Sequence, residues 1–122
     1  MGKYLVKQVK TGFNFNLKAG NGEVIATSEI YTTERACLNG VESVKKNAPK
    51  AALEDQTVAD FAKEKNPKFE LYTDKAGGFR FRLKATNGEI IAVSESYKSK
   101  AGCKNGIESV RENAGSEVVV AE

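Results

Sequence analysis

Residues that usually carry catalysis are scarce in this sequence of 122 residues. It contains no histidine, so the commonest general acid or base is absent. Its three aspartates, Asp55, Asp60 and Asp74, fall in predicted linkers and turns, and its two cysteines are too few for a zinc site. We therefore predict no catalytic residue, no metal site, no cofactor and no enzymatic activity. A catalyst built on lysine or glutamate is the least favoured alternative.

The two cysteines, Cys37 and Cys103, are candidates for redox chemistry. Both fall within an apolar stripe on a predicted helix, where a thiol behaves as a small hydrophobic side chain. We therefore predict that both are buried, free and inert, with redox activity or a disulfide as the alternative. Two free thiols are typical of a reducing compartment, so we expect a cytoplasmic protein.

One short run could bind an anion. Arg80, Arg82 and Lys84 alternate with apolar residues, and in a strand this spacing places the three cations on one face. The run is similar to the aromatic strands of RNA-recognition modules, in which exposed rings stack on bases. Here the rings are predicted to face the core, so we favour a solvated strand face. A weak nucleic-acid or anion-binding surface is the alternative.

A polar group on the predicted helices occurs twice. Its members are Asn39, Glu42 and Ser43, and again Asn105, Glu108 and Ser109. They project away from the apolar stripe, yet they are identical in both copies while exposed neighbours such as Lys46 and Glu112 differ. We favour a structural interpretation, in which they satisfy backbone groups of an adjoining loop or strand edge. The alternative is a ligand or partner surface presented twice.

An internal duplication is the main feature of the chain. Residues 13–48 align with residues 79–114 without gaps, and 21 of the 36 positions are identical. Each half, at roughly 55–60 residues, would be only marginally stable alone. We expect one compact domain with residues 1–56 as the first unit, 57–67 as the linker and 68–122 as the second unit.

Each unit is predicted to contain three strands, a helix and a fourth strand. Alternating apolar residues such as Phe13, Phe15 and Leu17 are typical of a half-buried strand. Asn21-Gly22 predicts a tight hairpin turn with two positive-φ residues, and Asn87-Gly88 does so in the second copy. The returning strands are expected over 23–29 and 89–95. We place the fourth strands at 51–55 and 117–121, and a helical turn within the linker.

The helices are predicted from apolar residues at a spacing of 3.6 per turn. The two stripes are Cys37, Val41, Val44 and Ala48, and Cys103, Ile107, Val110 and Ala114. Thr33 and Ser99 are the expected N-caps. Gly40 and Gly106 lie beside the stripes, and we expect the backbone of the sheet or of the sister helix to approach them closely.

Three short motifs recur in both copies at the same spacing. They are Leu-Lys-Ala-x-Asn-Gly-Glu-x-Ile, Ser-Glu-x-Tyr and Asn-Gly-x-Glu-Ser-Val, and together they resemble those of the YegP-like family of small bacterial proteins. The resemblance covers nearly the whole chain. It implies two β-β-β-α-β units, in one α+β domain with approximate two-fold symmetry, that interlock by exchanging their last strands. It implies no activity, because the family is one of unknown function.

The composition limits the partners that we expect. The net charge is +3, from 19 basic and 16 acidic residues that are interspersed along the chain, which makes nucleic acid an unfavoured partner. No apolar run reaches membrane-spanning length, so we expect no membrane partner. Because the sister unit is covalently supplied, we expect a monomer. The predicted function is a non-catalytic binding or structural module whose partner is another protein or a peptide.

Overall fold

The computed structural model describes residues 2–120, which form one sheet of eight strands and two α-helices. The strands are β1 (Lys3–Val9), β2 (Gly12–Lys18), β3 (Val24–Thr27), β4 (Ala52–Asp55), β5 (Lys68–Thr73), β6 (Phe79–Lys84), β7 (Ile90–Val93) and β8 (Glu117–Val120). The helices are α1 (Glu34–Asn47), followed by the short 3₁₀ helix Ala48–Lys50, and α2 (Lys100–Asn113). The predicted mixed α+β class is confirmed.

The strand order across the sheet is β4-β5-β6-β7-β3-β2-β1-β8. Neighbouring strands are antiparallel except at the two edges, where β4 pairs with β5 and β8 pairs with β1 in parallel. The final strand β8 therefore extends the sheet beside the first strand of the chain. The two halves of the sheet meet at β3 and β7, through the pair Thr27–Val93.

A single hydrophobic core lies between the helices and one face of the sheet. The fully buried strand residues in it are Tyr4, Val6, Phe15, Leu17, Phe69, Leu71, Phe81 and Leu83. Burying a side chain of this size stabilises a fold by roughly 1.5–3 kcal/mol relative to leaving it exposed. Helix α1 packs on β1, β2 and also β7, while α2 packs on β5, β6 and also β3. Each helix therefore spans the junction, and the two halves share one core.

Both helices have the predicted N-cap residues, and both turn their predicted apolar stripes towards the sheet. The Thr33 hydroxyl accepts a hydrogen bond from the Ala36 amide at 3.0 Å, and the Ser99 hydroxyl accepts one from the Gly102 amide at 3.0 Å. These bonds satisfy amides that have no partner within the helix. Both predicted apolar stripes are buried, including both cysteines.

The two helix glycines have a different neighbour from the one predicted. A Cβ atom on Gly40 would lie 2.4 Å from the hydroxyl oxygen of Tyr31, and one on Gly106 would lie 2.3 Å from that of Tyr97. The nearest group is therefore a tyrosine side chain and not a backbone, so the expected backbone approach was wrong. Gly106 does contact the sheet, since its Cβ would lie 3.1 Å from Phe81 Cε2 on β6. Each tyrosine lies in the segment that precedes its own helix. The spacing of residues within the helix therefore could not predict this contact.

Two local predictions need correction. In the hairpin after β2, Gly22 has a φ of 86° but Asn21 does not have a positive φ. The Gly22 amide donates to the Ala19 carbonyl at 2.9 Å, as in a three-residue loop that ends in a left-handed glycine. The turn 87–88 repeats this arrangement. The linker over 56–67 consists of turns and irregular backbone, so the helical turn predicted there was also wrong.

The strands are close to their predicted positions but shorter at the hairpins. The returning strands are Val24–Thr27 and Ile90–Val93, and the fourth strands are Ala52–Asp55 and Glu117–Val120. The predicted end of the last strand at residue 121 lies outside the described residues.

Candidate functional site

We call the face of the sheet opposite the helices the outer face. Residues in a row across it change from uncharged to charged between one edge of the sheet and the other. One row of paired residues crosses all eight strands: Val119, Leu5, Asn16, Thr27, Val93, Arg82, Glu70 and Glu54. The row is uncharged from β8 to β7 and charged from β6 to β4. The two halves of the sheet therefore differ in charge on this face.

The three cations that were predicted to share a strand face do share one, on β6. The Arg80 Nε atom lies 3.0 Å from the Asp74 carboxylate, and the Arg82 Nε atom lies 2.5 Å from that of Glu70. The Lys84 Nζ atom lies 3.4 Å from the same Glu70. All three positive charges are thus compensated within the protein.

Beside them lies a buried ionic cluster that sequence reasoning missed. Glu54 and Glu70 are only 2% and 3% exposed, and Lys68 lies between them. The Lys68 Nζ atom is 2.8 Å from Glu54 Oε1 and 3.2 Å from Glu70 Oε2. The alternation of Lys68 and Glu70 with apolar residues along β5 was the available signal, but it indicates a solvated face as readily as a covered one.

The linker covers this cluster. The backbone amide of Glu64 donates to Glu54 Oε1 at 2.8 Å, and the Gln56 side-chain amide donates to Glu54 Oε2 at 2.6 Å. Burial alone raises the pKa of Glu54, but the hydrogen bonds from Lys68, Gln56 and the Glu64 amide outweigh it and lower the pKa to about 2. The carboxylate is therefore a fixed anion that holds the linker in place.

A cleft of about 330 Å³ lies between α1 and the turn that joins β6 to β7. We call it the helix–turn cleft, and its lining residues are Glu42, Ser43, Lys46, Asn47, Ala85, Thr86 and Asn87. Asn47 is buried and connects the two walls. Its Nδ2 group donates to the Ser43 carbonyl at 2.8 Å, and its Oδ1 atom accepts from the Thr86 hydroxyl at 3.0 Å. The two walls come from different halves of the chain.

The helix–turn cleft contains residues that both copies of the repeat retain. Five of its seven residues are identical at the corresponding positions of the other copy: Glu108, Ser109, Asn113, Ala19 and Asn21. The two that differ are Lys46, which corresponds to Glu112, and Thr86, which corresponds to Gly20.

Of the six polar helix residues predicted as an interaction surface, the structure brings Glu42 and Ser43 into the helix–turn cleft. Asn39 and Asn105 are exposed on their helices and do not line it. Within residues 2–120, the side-chain hydrogen bonds and ion pairs of this set remain inside their own helices. Glu42 lies 3.7 Å from Lys45, Glu108 pairs with Arg111, and both serines accept from an asparagine four residues later. The favoured structural interpretation predicted contacts to an adjoining loop or strand edge. These bonds do not make such contacts.

Both cysteines are buried and free. Burial raises the pKa of Cys37 and of Cys103 to about 11 in each case, so the reactive thiolate is disfavoured at neutral pH. Across residues 2–120, no group of three or more Cys, Asp or Glu side chains is placed to hold a metal ion. In the same range, neither helix has the length and apolarity needed to cross a membrane.

Comparison with known families identifies both halves. A family model described as Domain of unknown function (DUF1508) matches residues 10–55 and, a second time, residues 74–120. The chain belongs to the DUF1508 family. Each DUF1508 segment of this chain contains two antiparallel strands, one helix and the edge strand that follows it.

The relatives carry UPF0339 names that record no activity. UPF0339 protein YegP of Yersinia pestis is 40% identical over 120 residues, which are 98% of this chain and 94% of that protein. The solution NMR structure of yegP from E. coli, titled a protein of unknown function, matches with a TM-score of 0.80 at 33% identity and covers 98% of this chain and 91% of that one. The DUF1508 fold is thus shared, and the function of the family is uncharacterised.

One relative matches only about one unit of this chain. A UPF0339 protein of Treponema denticola is 68% identical over 53 residues, which are 43% of this chain but 91% of that protein. A UPF0339 protein can therefore be about half as long as this chain.

Proposed function

We propose that this DUF1508 protein is a non-catalytic binding module that holds a protein or peptide segment in the helix–turn cleft. The observation that carries the proposal is the identity of five lining residues between the two copies, whereas exposed positions at the start of the same helix, such as Glu34 and Arg35, have diverged. Glu42 and Lys46 offer charges of both signs at the rim, and Ser43 and Asn87 offer polar groups. Such a mixed, shallow site suits a peptide better than a small reactive substrate.

A non-catalytic role is supported by the state of the ionisable groups. A general acid or base needs a pKa near the working pH, whereas Glu54, Asp55 and Asp74 all have a pKa lowered to about 2. The thiols, which could serve as nucleophiles, have a raised pKa and lie in the core.

The architecture that accompanies this proposal is an interlocked pair of units related by an approximate two-fold axis. The first unit, residues 1–56, supplies β4 to the strands of the second, and the second unit, residues 68–122, supplies β8 to those of the first. Residues 57–67 are the linker. We further propose a monomer in the cytoplasm, which agrees with two free, buried cysteines.

A weak nucleic-acid or anion-binding surface at Arg80, Arg82 and Lys84 is less well supported. Binding an external anion there would require the ion pairs with Asp74 and Glu70 to open. The signature of such a role would be binding that falls with salt and is lost in the double variant R80A/R82A.

A phage-displayed peptide library tests the proposed function. We expect the full chain to enrich peptides with a common pattern, and these peptides to lose most of their binding to the variant E42A/S43A/E108A/S109A. The variant E34A/R35A, altered at exposed positions of the first turn of α1 away from the cleft, is the matched control and should bind them normally. No enrichment, or equal binding by both variants, would refute the proposal.

A further inference from the structure

The linker covers the outer face over β4 and β5, whereas the corresponding outer face over β1 and β8 has no such covering segment among the described residues. The relevant residues are Lys3, Leu5 and Lys7 on β1, Asn14 and Lys18 on β2, and Val119 on β8. We call this set the first-half outer face. It is distinct from the helix–turn cleft, because no residue is common to the two.

The second half shows what this kind of face can hold. There, the chain's own linker lies over β4 and β5 and donates a backbone amide, that of Glu64, to an outward side chain. Glu54, beneath the linker, is 2% exposed, whereas Val119, its counterpart in strand pairing, is 36% exposed. An irregular segment of the chain therefore already lies over one of the two corresponding faces, while the described residues leave the other face accessible.

Charge indicates the kind of segment that would fit the first-half outer face. Lys3, Lys7 and Lys18 each lie more than 4 Å from every carboxylate in the described part of the chain, and one acidic residue, Glu117, pairs with Lys3 in strand register. In the half of the sheet formed by β4 to β7, Glu54 and Glu70 neutralise the outward cations. Their counterparts in the other half of the sheet are Val119 and Leu5. The first-half outer face is thus positive around an apolar centre.

One atom on this face lacks a hydrogen-bond partner. The Oδ1 atom of Asn14 is shielded from solvent and accepts no hydrogen bond within residues 2–120. An outside donor reaches this atom once the side chain turns outward, and the new bond then removes the cost of leaving the acceptor unsatisfied. A backbone amide of a bound segment would supply the donor, as the Glu64 amide does for Glu54 in the second half.

From these observations we infer that the first-half outer face binds an extended acidic peptide segment of another protein. Alternate residues of the segment place carboxylates beside Lys3, Lys7 and Lys18 and apolar side chains on Leu5 and Val119. A backbone amide of the segment donates to Asn14. The segment takes the place that the linker occupies in the second half.

Titration of the ¹⁵N-labelled full chain with two short synthetic peptides tests this inference. One peptide alternates Glu and Val, and the other alternates Lys and Val. We expect the acidic peptide to shift the amide signals of β1, β2 and β8, and its affinity to fall as salt is raised. The basic peptide should shift none of them.

Two charge-reversal variants make the test specific. K7E/K18E should bind the acidic peptide at least about tenfold more weakly, because like charges then face each other. The control K50E/K104E has the same net charge and is altered at exposed positions on the other side of the sheet, so it should bind normally. If K7E/K18E does not fold, the map of shifted signals in the unaltered chain still decides the question.

Three outcomes would overturn the inference. The shifted signals could lie outside β1, β2 and β8, or the basic peptide could bind as well as the acidic one. A single-stranded oligothymidylate could also bind more tightly than the acidic peptide and lose this binding in K7E/K18E. That third result would assign the face to nucleic acid instead.

Discussion

At the scale of single residues, the strongest departure from a simple amphipathic sheet is the carboxylate of Glu54. Its counterpart in the other edge strand is Val119, so the ionic cluster occurs only in the half of the sheet formed by β4, β5, β6 and β7. The buried Glu54 carboxylate accepts hydrogen bonds from three donors, the Lys68 ammonium, the Gln56 side chain and the Glu64 amide, and so ties together β4, β5 and the linker. This is a structural role, and it explains why the linker is ordered against the sheet without a helix.

The lowered pKa of Glu54 predicts a defined loss of stability in acid. Because the folded-state pKa of about 2 lies below the ordinary value of 4.5, its contribution is complete above pH 4.5 and is lost as the pH falls towards 2. We expect E54Q to reduce the free energy of unfolding at pH 7 by about 1–3 kcal/mol and to weaken its dependence on pH in this window. Urea unfolding at several pH values measures both.

The matched control for E54Q is E117Q, in the other edge strand. Glu117 is exposed, so this change should alter the free energy of unfolding by less than about 0.5 kcal/mol at pH 7. Equal losses in the two variants, or an unchanged pH profile in E54Q, would show that the buried cluster does not stabilise the fold.

At the scale of elements, each helix is fixed against a tyrosine that precedes it. Tyr31 fills the space above Gly40, and Tyr97 fills the space above Gly106 and stacks on Phe81 with ring centroids 6.3 Å apart. Glycine lowers helix stability by about 1 kcal/mol relative to alanine, so its presence twice at this position needs a packing reason. The tyrosine supplies that reason.

This packing predicts that the effect of G40A on the free energy of unfolding depends on whether Tyr31 is present. G40A should destabilise the protein by about 1–3 kcal/mol, because the added methyl group overlaps the Tyr31 ring. In the Y31A background, the same change should become neutral or stabilising by up to about 1 kcal/mol. Thermal or urea unfolding of the four variants measures the coupling.

The control for G40A is G102A in the first turn of α2. The corresponding residue of α1 is Ala36, so the alanine conformation is already present once in the protein. We expect G102A to be neutral or stabilising. Two results would contradict the proposed packing of Tyr31 on Gly40. G102A could lower the free energy of unfolding, or G40A could lower it by the same amount with and without Tyr31.

Much at this scale could be predicted from the sequence, because the relevant signals are local. The N-caps Thr33 and Ser99, the buried stripes and the strand alternation depend on residues a few positions apart. The turn at Asn21-Gly22 was located correctly but given the wrong backbone conformation, since Asn-Gly fits more than one hairpin loop.

The features that the sequence could not predict depend on which elements become neighbours in the fold. The ionic cluster forms only because β4 pairs in parallel with β5, and the helix–turn cleft forms only because α1 of one half meets the turn at Thr86 of the other. Neither pairing has a local signature in the sequence. The sequence singled out Glu42 and Ser43 as candidate interaction residues, but it could not show that they face the turn at Thr86 across a cleft.

At the scale of the whole molecule, contacts at several places join the two halves of the duplicated chain. Hydrogen bonds cross between the halves at several places: the Tyr4 hydroxyl donates to the Ala114 carbonyl at 2.7 Å, and Arg111 donates to the Ala51 carbonyl at 2.8 Å. The edge strands β4 and β8 and the shared core add to these contacts. Neither half retains its complete set of strand partners without the other.

The most direct test of this account is the state of residues 1–56 alone in solution. This half would lack the strand β8 beside β1 and the surface of β7 beneath α1. We expect heteronuclear NMR and sedimentation to find it unfolded as a monomer, or folded only as a dimer that restores both contacts. A folded, stable monomer of residues 1–56 would contradict the claim that each unit completes the other.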